Sequence, residues 1–206
     1  ASVGATMTLS GSGSFLFNQN AFGNHIAGFD TRNFNGSVDL ALLSGGTASL
    51  NGAATVRTGA GNDKVAFGGA QNAIVADLGD GDDLLTVLAM GAGRTLTANL
   101  GAGNDTIRAP AAALAGSSLV DGGPGFDTWL AYNAGPQVTS VNFERLVLDN
   151  LSGGGTIEIS NVSPLTLQEA RLAAYGVAVP AFAITGVAPG TALEVAGLTS
   201  AAIALS

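Results

Sequence analysis

Gly79-Asp80-Gly81-Asp82-Asp83 is a tight turn written in glycine and acid, and the chain repeats it. Gly59-Ala60-Gly61-Asn62-Asp63, Gly101-Ala102-Gly103-Asn104-Asp105 and Gly123-Pro124-Gly125-Phe126-Asp127 follow the same plan. Successive copies start 20, 22 and 22 residues apart, and each aspartate is followed two residues on by an apolar side chain, Val65, Leu85, Ile107 or Trp129. A unit of about twenty residues cannot bury its own apolar face, so a fixed repeat of this length predicts stacked coils. The expected fold is all-β, a parallel β-helix or β-roll-like solenoid.

Glycine stands where the backbone needs positive φ or a close approach to a neighbour. Two glycines around one residue turn a strand sharply and bring its carbonyl oxygens together. The aspartate adds a carboxylate, completing the all-oxygen surroundings that a hard cation such as Ca2+ prefers. Stacked turns place successive carboxylates a strand spacing apart, where they repel unless an ion lies between them. Metal-free tight turns are the alternative, since Gly-Asn-Asp is also ordinary turn chemistry. Four copies in register, flanked by Ala73-Ile74-Val75-Ala76-Asp77-Leu78 and Leu84-Leu85-Thr86-Val87-Leu88, favour the ion.

The four turns resemble the calcium-binding nonapeptide repeats of secreted RTX proteins, Gly-Gly-x-Gly-x-Asp-x-apolar-x, which wind into a parallel β-roll. Three copies depart at the first glycine, which is Thr58, Leu78 and Leu100, with Gly122 only in the last. A β-roll carries two motifs per coil on opposite sides. Here there is one, so the resemblance implies a one-sided calcium spine, closed opposite by plainer turns at Gly68-Gly69, Gly91-Ala92-Gly93 and Gly116-Ser117. The ligands it implies are Asp63, Asp83, Asp105 and Asp127 with the backbone of Gly59, Gly61, Gly79, Gly81, Gly101, Gly103, Gly123 and Gly125. Ions between consecutive turns give three interior sites. The last copy, with Pro124 and Phe126, is expected to cap the stack.

Composition agrees. Of 206 residues 47% are hydrophobic, 11% are charged and 31 are glycine, roughly twice the average share. A net charge of −8, with Asp63, Asp77, Asp80, Asp82, Asp83, Asp105, Asp121 and Asp127 in the repeat zone, argues against nucleic acid and anionic membranes. There is no cysteine, hence no disulfide and no thiolate metal site. Cytosolic calcium is too scarce to fill low-affinity sites, so secretion to the extracellular space or cell surface is expected. No basic leader precedes an apolar stretch, and the uncharged tail from Ala201 to Ser206 resembles C-terminal signals read by type I secretion systems.

Three regions follow. Residues 1–46 read as an N-terminal β cap with short strands at Thr6–Leu9, Ser14–Phe17 and Val38–Leu43, rich in phenylalanine at Phe15, Phe17, Phe22, Phe29 and Phe34. Residues 47–150 are the solenoid, ending in Val138–Asn142 and an Asn142-Phe143-Glu144-Arg145-Leu146 stretch resembling coil-ending segments of bacterial S-layer and adhesin proteins. Residues 151–206 form a C-terminal cap or assembly region. In it Ser163-Pro164 and Gly176 bracket one short helix over Leu165–Tyr175, and strands are expected at Val177–Val179 and Ala183–Thr185. The uncharged run from Leu172 to Leu193 is broken by glycine and proline, so no transmembrane segment is expected.

No Ser-His-Asp or metal–histidine arrangement is present, and the single histidine, His25, has no catalytic partner nearby in sequence; an enzyme is not expected. An ice-binding threonine row between the glycines is missing, since those positions are Ala60, Asp80, Ala102 and Pro124. The expected function is that of a calcium-stabilised protein assembling with copies of itself, as an S-layer, matrix fibre or adhesin component. The alternative is a monomeric calcium-dependent adhesin or ligand-binding module, with a polysaccharide-modifying enzyme ranked below both; cell-surface polysaccharide is a candidate partner.

Overall fold

The computed structural model describes residues 5–18, 26–43, 54–68, 73–88, 90, 93–110, 118–132, 139–149, 155–160, 165–171, 182–185, 193–196 and 203–205. Every paired strand in it is parallel to its neighbour, which is the solenoid the repeat predicts. Two long strands open the chain, β1 (Ala5–Asn18) and β2 (Ile26–Leu43). Each later coil splits into a pair. These are β3 (Ala54–Arg57) with β4 (Lys64–Gly68), β5 (Ile74–Asp77) with β6 (Leu84–Val87), β7 (Leu96–Asn99) with β8 (Thr106–Pro110), and β9 (Leu119–Asp121) with β10 (Thr128–Tyr132). The series continues with β11 (Thr139–Val141) and β12 (Arg145–Asp149), β13 (Gly155–Ser160) and β14 (Leu165–Arg171), β15 (Phe182–Thr185) and β16 (Leu193–Ala196), then β17 (Ile203–Leu205).

Odd strands from β3 stack on odd and even on even. Val56 pairs Ala76, which pairs Ala98 and then Val120, while Val65 pairs Leu85, Ile107, Trp129 and Leu146 in turn. The pairing shift of 20, 22 and 22 residues is the spacing of the glycine–aspartate turns, which sit at the corner between each odd strand and the even strand after it. One residue in two points inward. Leu40, Val65, Leu85, Ile107 and Trp129 line one inner wall and Phe29, Val56, Ala76, Ala98 and Val120 the other, all buried. Burying a large aliphatic side chain contributes about 1.5–3 kcal/mol, so these rows supply the cohesion between coils.

The N-terminal strands are longer than expected. Gly11 and Gly13, both at φ 120°, carry β1 around the corner without interrupting its pairing to Phe34 and Gly36 of β2. Phe29 and Phe34 are core residues, and Phe15 and Phe17 pack against the core's edge. Phe22 and His25 lie outside the described residues.

Over residues 165–171 the expected helix is not there, and its last four residues, 172–175, lie outside the described residues. Leu165–Arg171 is the strand β14, paired to β12 on one side and β16 on the other. Local capping signals at Ser163-Pro164 could propose a helix, but parallel neighbours on both sides offer backbone partners instead, and leucines at 165 and 167 also satisfy a period of two. Ala183–Thr185 is in β15 as expected; Val177–Val179 lies outside the described residues, as do Gly69, Gly91, Ala92, Gly116 and Ser117 of the opposite corners. Among the described residues no helix is long and apolar enough to cross a membrane.

Candidate metal centre

The corner turns are backbone stacked directly on backbone. Gly61 N–H donates to Asp80 O at 2.7 Å and Asp80 N–H to Gly59 O at 3.1 Å, and the pattern repeats one coil on with Gly81 to Ala102 O and Ala102 to Gly79 O. This closeness is why glycine is required. A Cβ on Gly101, at φ 109°, would stand 1.6 Å from Gly79 O, and one on Gly103 would stand 2.0 Å from Gly81 O.

The position where three copies lack the RTX-like first glycine explains itself. Leu78 and Leu100 are wholly buried and Thr58 nearly so, its hydroxyl donating to Leu78 O. In this fold that position builds core instead of turn. Only in the last copy is it Gly122.

Asp63, Asp83, Asp105 and Asp127 point into the coil and are at most 3% exposed. One oxygen of each accepts the backbone amide one coil before: Val38 N–H to Asp63 at 2.7 Å, Asp63 to Asp83 at 2.8 Å, Asp83 to Asp105 at 2.7 Å and Asp105 to Asp127 at 2.8 Å. The other oxygen, Oδ2, is buried in all four and has no well-formed hydrogen bond among the described residues, though the Thr58 hydroxyl and Gly59 amide lie near the Asp63 carboxylate. A buried carboxylate oxygen without a donor is costly, and the cost recurs at every coil. Either a proton or a cation must answer it.

Burial is the main force on these acids. It pushes Asp83 up to about 8, against the Asp63 amide and with help from the charges of Asp63, Asp105 and Asp82. Asp127 is pushed up to about 7 by burial, opposed by the Asp105 amide. Asp63 and Asp105 are raised for the same reason, opposed by the amides of Val38 and Asp83. The folded, metal-free protein therefore holds protons that the unfolded chain, with carboxyls near 3.8, has released. Its stability is expected to fall as pH rises from about 4 to about 8 and to level off above, because the unfolded state binds fewer protons throughout that window. Calcium should cancel the decline. Urea denaturation in chelator at about pH 5 and about pH 9 checks the slope; equal stability at both would mean that the four acids are not held protonated.

The residues fit a hard divalent ion. Coils lie about 4.8 Å apart, so unpartnered Oδ2 atoms recur at a separation one ion can bridge. Bound there, Ca2+ would supply the positive charge that the row lacks. Among the described residues no three Asp, Glu, His or Cys side chains converge on one point, so each ion would take carboxylates in pairs and complete its shell with backbone oxygen or water.

Comparison with protein-family models, curated proteins and solved structures yields no match. The functional reading thus rests on the residues themselves.

Two features of the row escape the motif. Pairing places Phe15 and Val38 at the level where later coils carry Asp63 and Asp83, so the acid row begins abruptly on an apolar floor. At the other end Glu144 Oε2 accepts the Asp127 amide at 2.7 Å, the role aspartate plays below. The coil there is shorter, with Thr128 paired to Arg145 only 17 residues on, and no glycine pair announces it. Outside the corner, a second ladder of polar side chains steps from Asn62 to Asp82, Asn104 and the Phe126 amide. A third links Asn99 to Asp77 and Asn142 to Asp121.

Proposed function

We propose that this chain is a secreted, calcium-stapled β-solenoid that serves as a structural, self-assembling component of a cell surface or extracellular matrix, such as an S-layer, matrix fibre or adhesin part. The observation carrying it is the row of four in-register buried aspartates, each with an unpartnered oxygen. Such a row is stable as an ion-bound column and costly as bare carboxylate. Outside cells, calcium is abundant enough to fill weak sites; inside, it is not. The resemblance of the turns to RTX repeats supports the same reading.

Self-assembly is supported by the first coil. The 14-residue β1 pairs β2 along one edge and has no strand partner on the other among the described residues. Its inward residues Met7, Leu9, Phe15 and Phe17 are only partly covered, and Leu16 on its outer face is 71% exposed. A long open strand edge with few charges is a template for another chain.

A monomeric binding module is the second reading, favoured by a groove of about 520 Å³ beside that strand, lined by Phe15, Leu16, Asp39, Asn62 and Lys64. Light scattering with circular dichroism across a calcium titration separates the two. Particles growing as β signal appears are the expected result. Ordered β signal in a lasting monomer would transfer the function to the groove, and absence of any calcium response would remove both.

A further inference from the structure

The geometry points to an additional cation site above the last turn, between Asp127 and Glu144, with a ligand set unlike those below. This rests on the calcium reading of the aspartate row, and it changes the count from three interior ions to four. It also assigns a function to a residue outside every copy of the motif.

Four observations converge there. Asp127 is fully buried and its Oδ2 has no partner. The neighbouring position is Gly122, where earlier coils place the side chains of Thr58, Leu78 and Leu100. A Cβ at Gly122 would meet Asn142 O at 2.1 Å, Asp127 Cβ at 2.8 Å and Asp127 Oδ2 at 2.9 Å, so the missing side chain lets two oxygens from consecutive coils approach the same corner. Asn142 takes φ 56°, unusual for a residue with a side chain, and this conformation shapes the turn that presents its carbonyl. Finally, Glu144 brings a fifth carboxylate over the same corner, one oxygen tied to the Asp127 amide.

Carboxylates from two coils and a backbone carbonyl, all oxygen, suit a hard divalent ion. Glutamate, one methylene longer than aspartate, reaches down from a coil that is too short to carry the full glycine turn. The consequence is a junction. Ion binding here would fasten the coil of β11 and β12, and the strands stacked on it, to the calcium column.

Glu144→Gln tests this, because the amide oxygen can still accept the Asp127 N–H while the charge is lost. Bound calcium is counted by equilibrium dialysis and elemental analysis. In parallel, Tb3+ emission is excited through Trp129, the single tryptophan, which is buried two residues beyond Asp127. The expected result is one ion fewer per chain and weaker Trp129-sensitised emission, with unchanged β signal in saturating calcium. A parent that binds calcium and a variant that matches it in count, affinity and emission would overturn the junction site alone. A parent that binds no calcium would overturn the whole column. Should Glu144→Gln not fold, Glu144→Asp keeps the charge but withdraws the oxygens: selective weakening of one ion supports the site, and unchanged binding of all ions contradicts it.

Discussion

Replacing Asp83 and Asp105 together by asparagine is expected to remove the calcium response of the three interior sites, leaving only the junction at Asp127 and Glu144, while the metal-free protein stays at least as stable as the parent at pH 8 and above. The two effects have opposite signs because the two states of the row have opposite electrostatics. Without metal, Asp83 is raised to about 8 by burial and its neighbours' charge, so above that pH the parent holds buried anions at a cost that asparagine does not carry. In the proposed metal-bound state the same charges would be the ligands, and asparagine would offer a neutral oxygen in their place. The amide oxygen can still accept the N–H of Asp63 or Asp83, so the inter-coil bonds survive. Alanine at both sites should behave differently. It strands those two buried amides, each at about 1–3 kcal/mol, and the protein should be weakened with and without calcium. Urea denaturation of the three proteins in chelator and in calcium separates charge from hydrogen bond; an asparagine variant that responds to calcium like the parent would show that the ions lie elsewhere.

Gly101→Ala is expected to prevent folding of the repeat zone at any calcium concentration. Its Cβ would stand 1.6 Å from the carbonyl oxygen of Gly79, and 2.6 Å from its carbon, at φ 109°. The obstacle is backbone held on both sides by neighbouring coils, so nothing can move aside without breaking the stack. The comparison is Gly93→Ala. Gly93 also has positive φ, 72°, but among the described residues nothing lies within 4 Å of the added carbon. Only the local conformational strain remains there, of order 1 kcal/mol. Circular dichroism in saturating calcium should find the first variant without ordered β structure and the second close to the parent. Similar stability of the two would mean that the corners are not stacked as closely as described.

The contrast between those glycines explains what a linear reading of this chain can and cannot reach. Gly-x-Gly-x-Asp at intervals of 20 and 22 is a direct image of coil length, so the stacking of coils and the alignment of the aspartates in one row were legible, while their inward orientation was not. Thr58, Leu78 and Leu100 read as failed glycines, yet they are core, because in this fold the residue before the turn faces inward. The first two coils were hidden for a related reason. Gly11-Ser12-Gly13 lies in register with Asn35, and Asn35 with Ala60, but Phe15 and Val38 stand at the acid position, so no motif shows. The segment of Glu144 resembled coil-ending stretches, but its place at the end of the acid row did not show, because the coil shortens by several residues at the point where the acid changes type. Leu165–Arg171 carried local signals for a helix and became a strand because pairing with β12 and β16 outweighs them. In each case the deciding partner lies a whole coil away, where local pattern has no reach.

The most direct test of the calcium column is denaturation of the intact chain at neutral pH, followed through Trp129, in chelator and in several millimolar calcium, with bound ions counted on the same sample. Each ion at about tenfold excess over its dissociation constant should add about 1.4 kcal/mol, so several ions should move the midpoint to clearly higher urea. Superimposable curves with no ion bound would contradict the account, and would leave the four aspartates as a buried row without an ion.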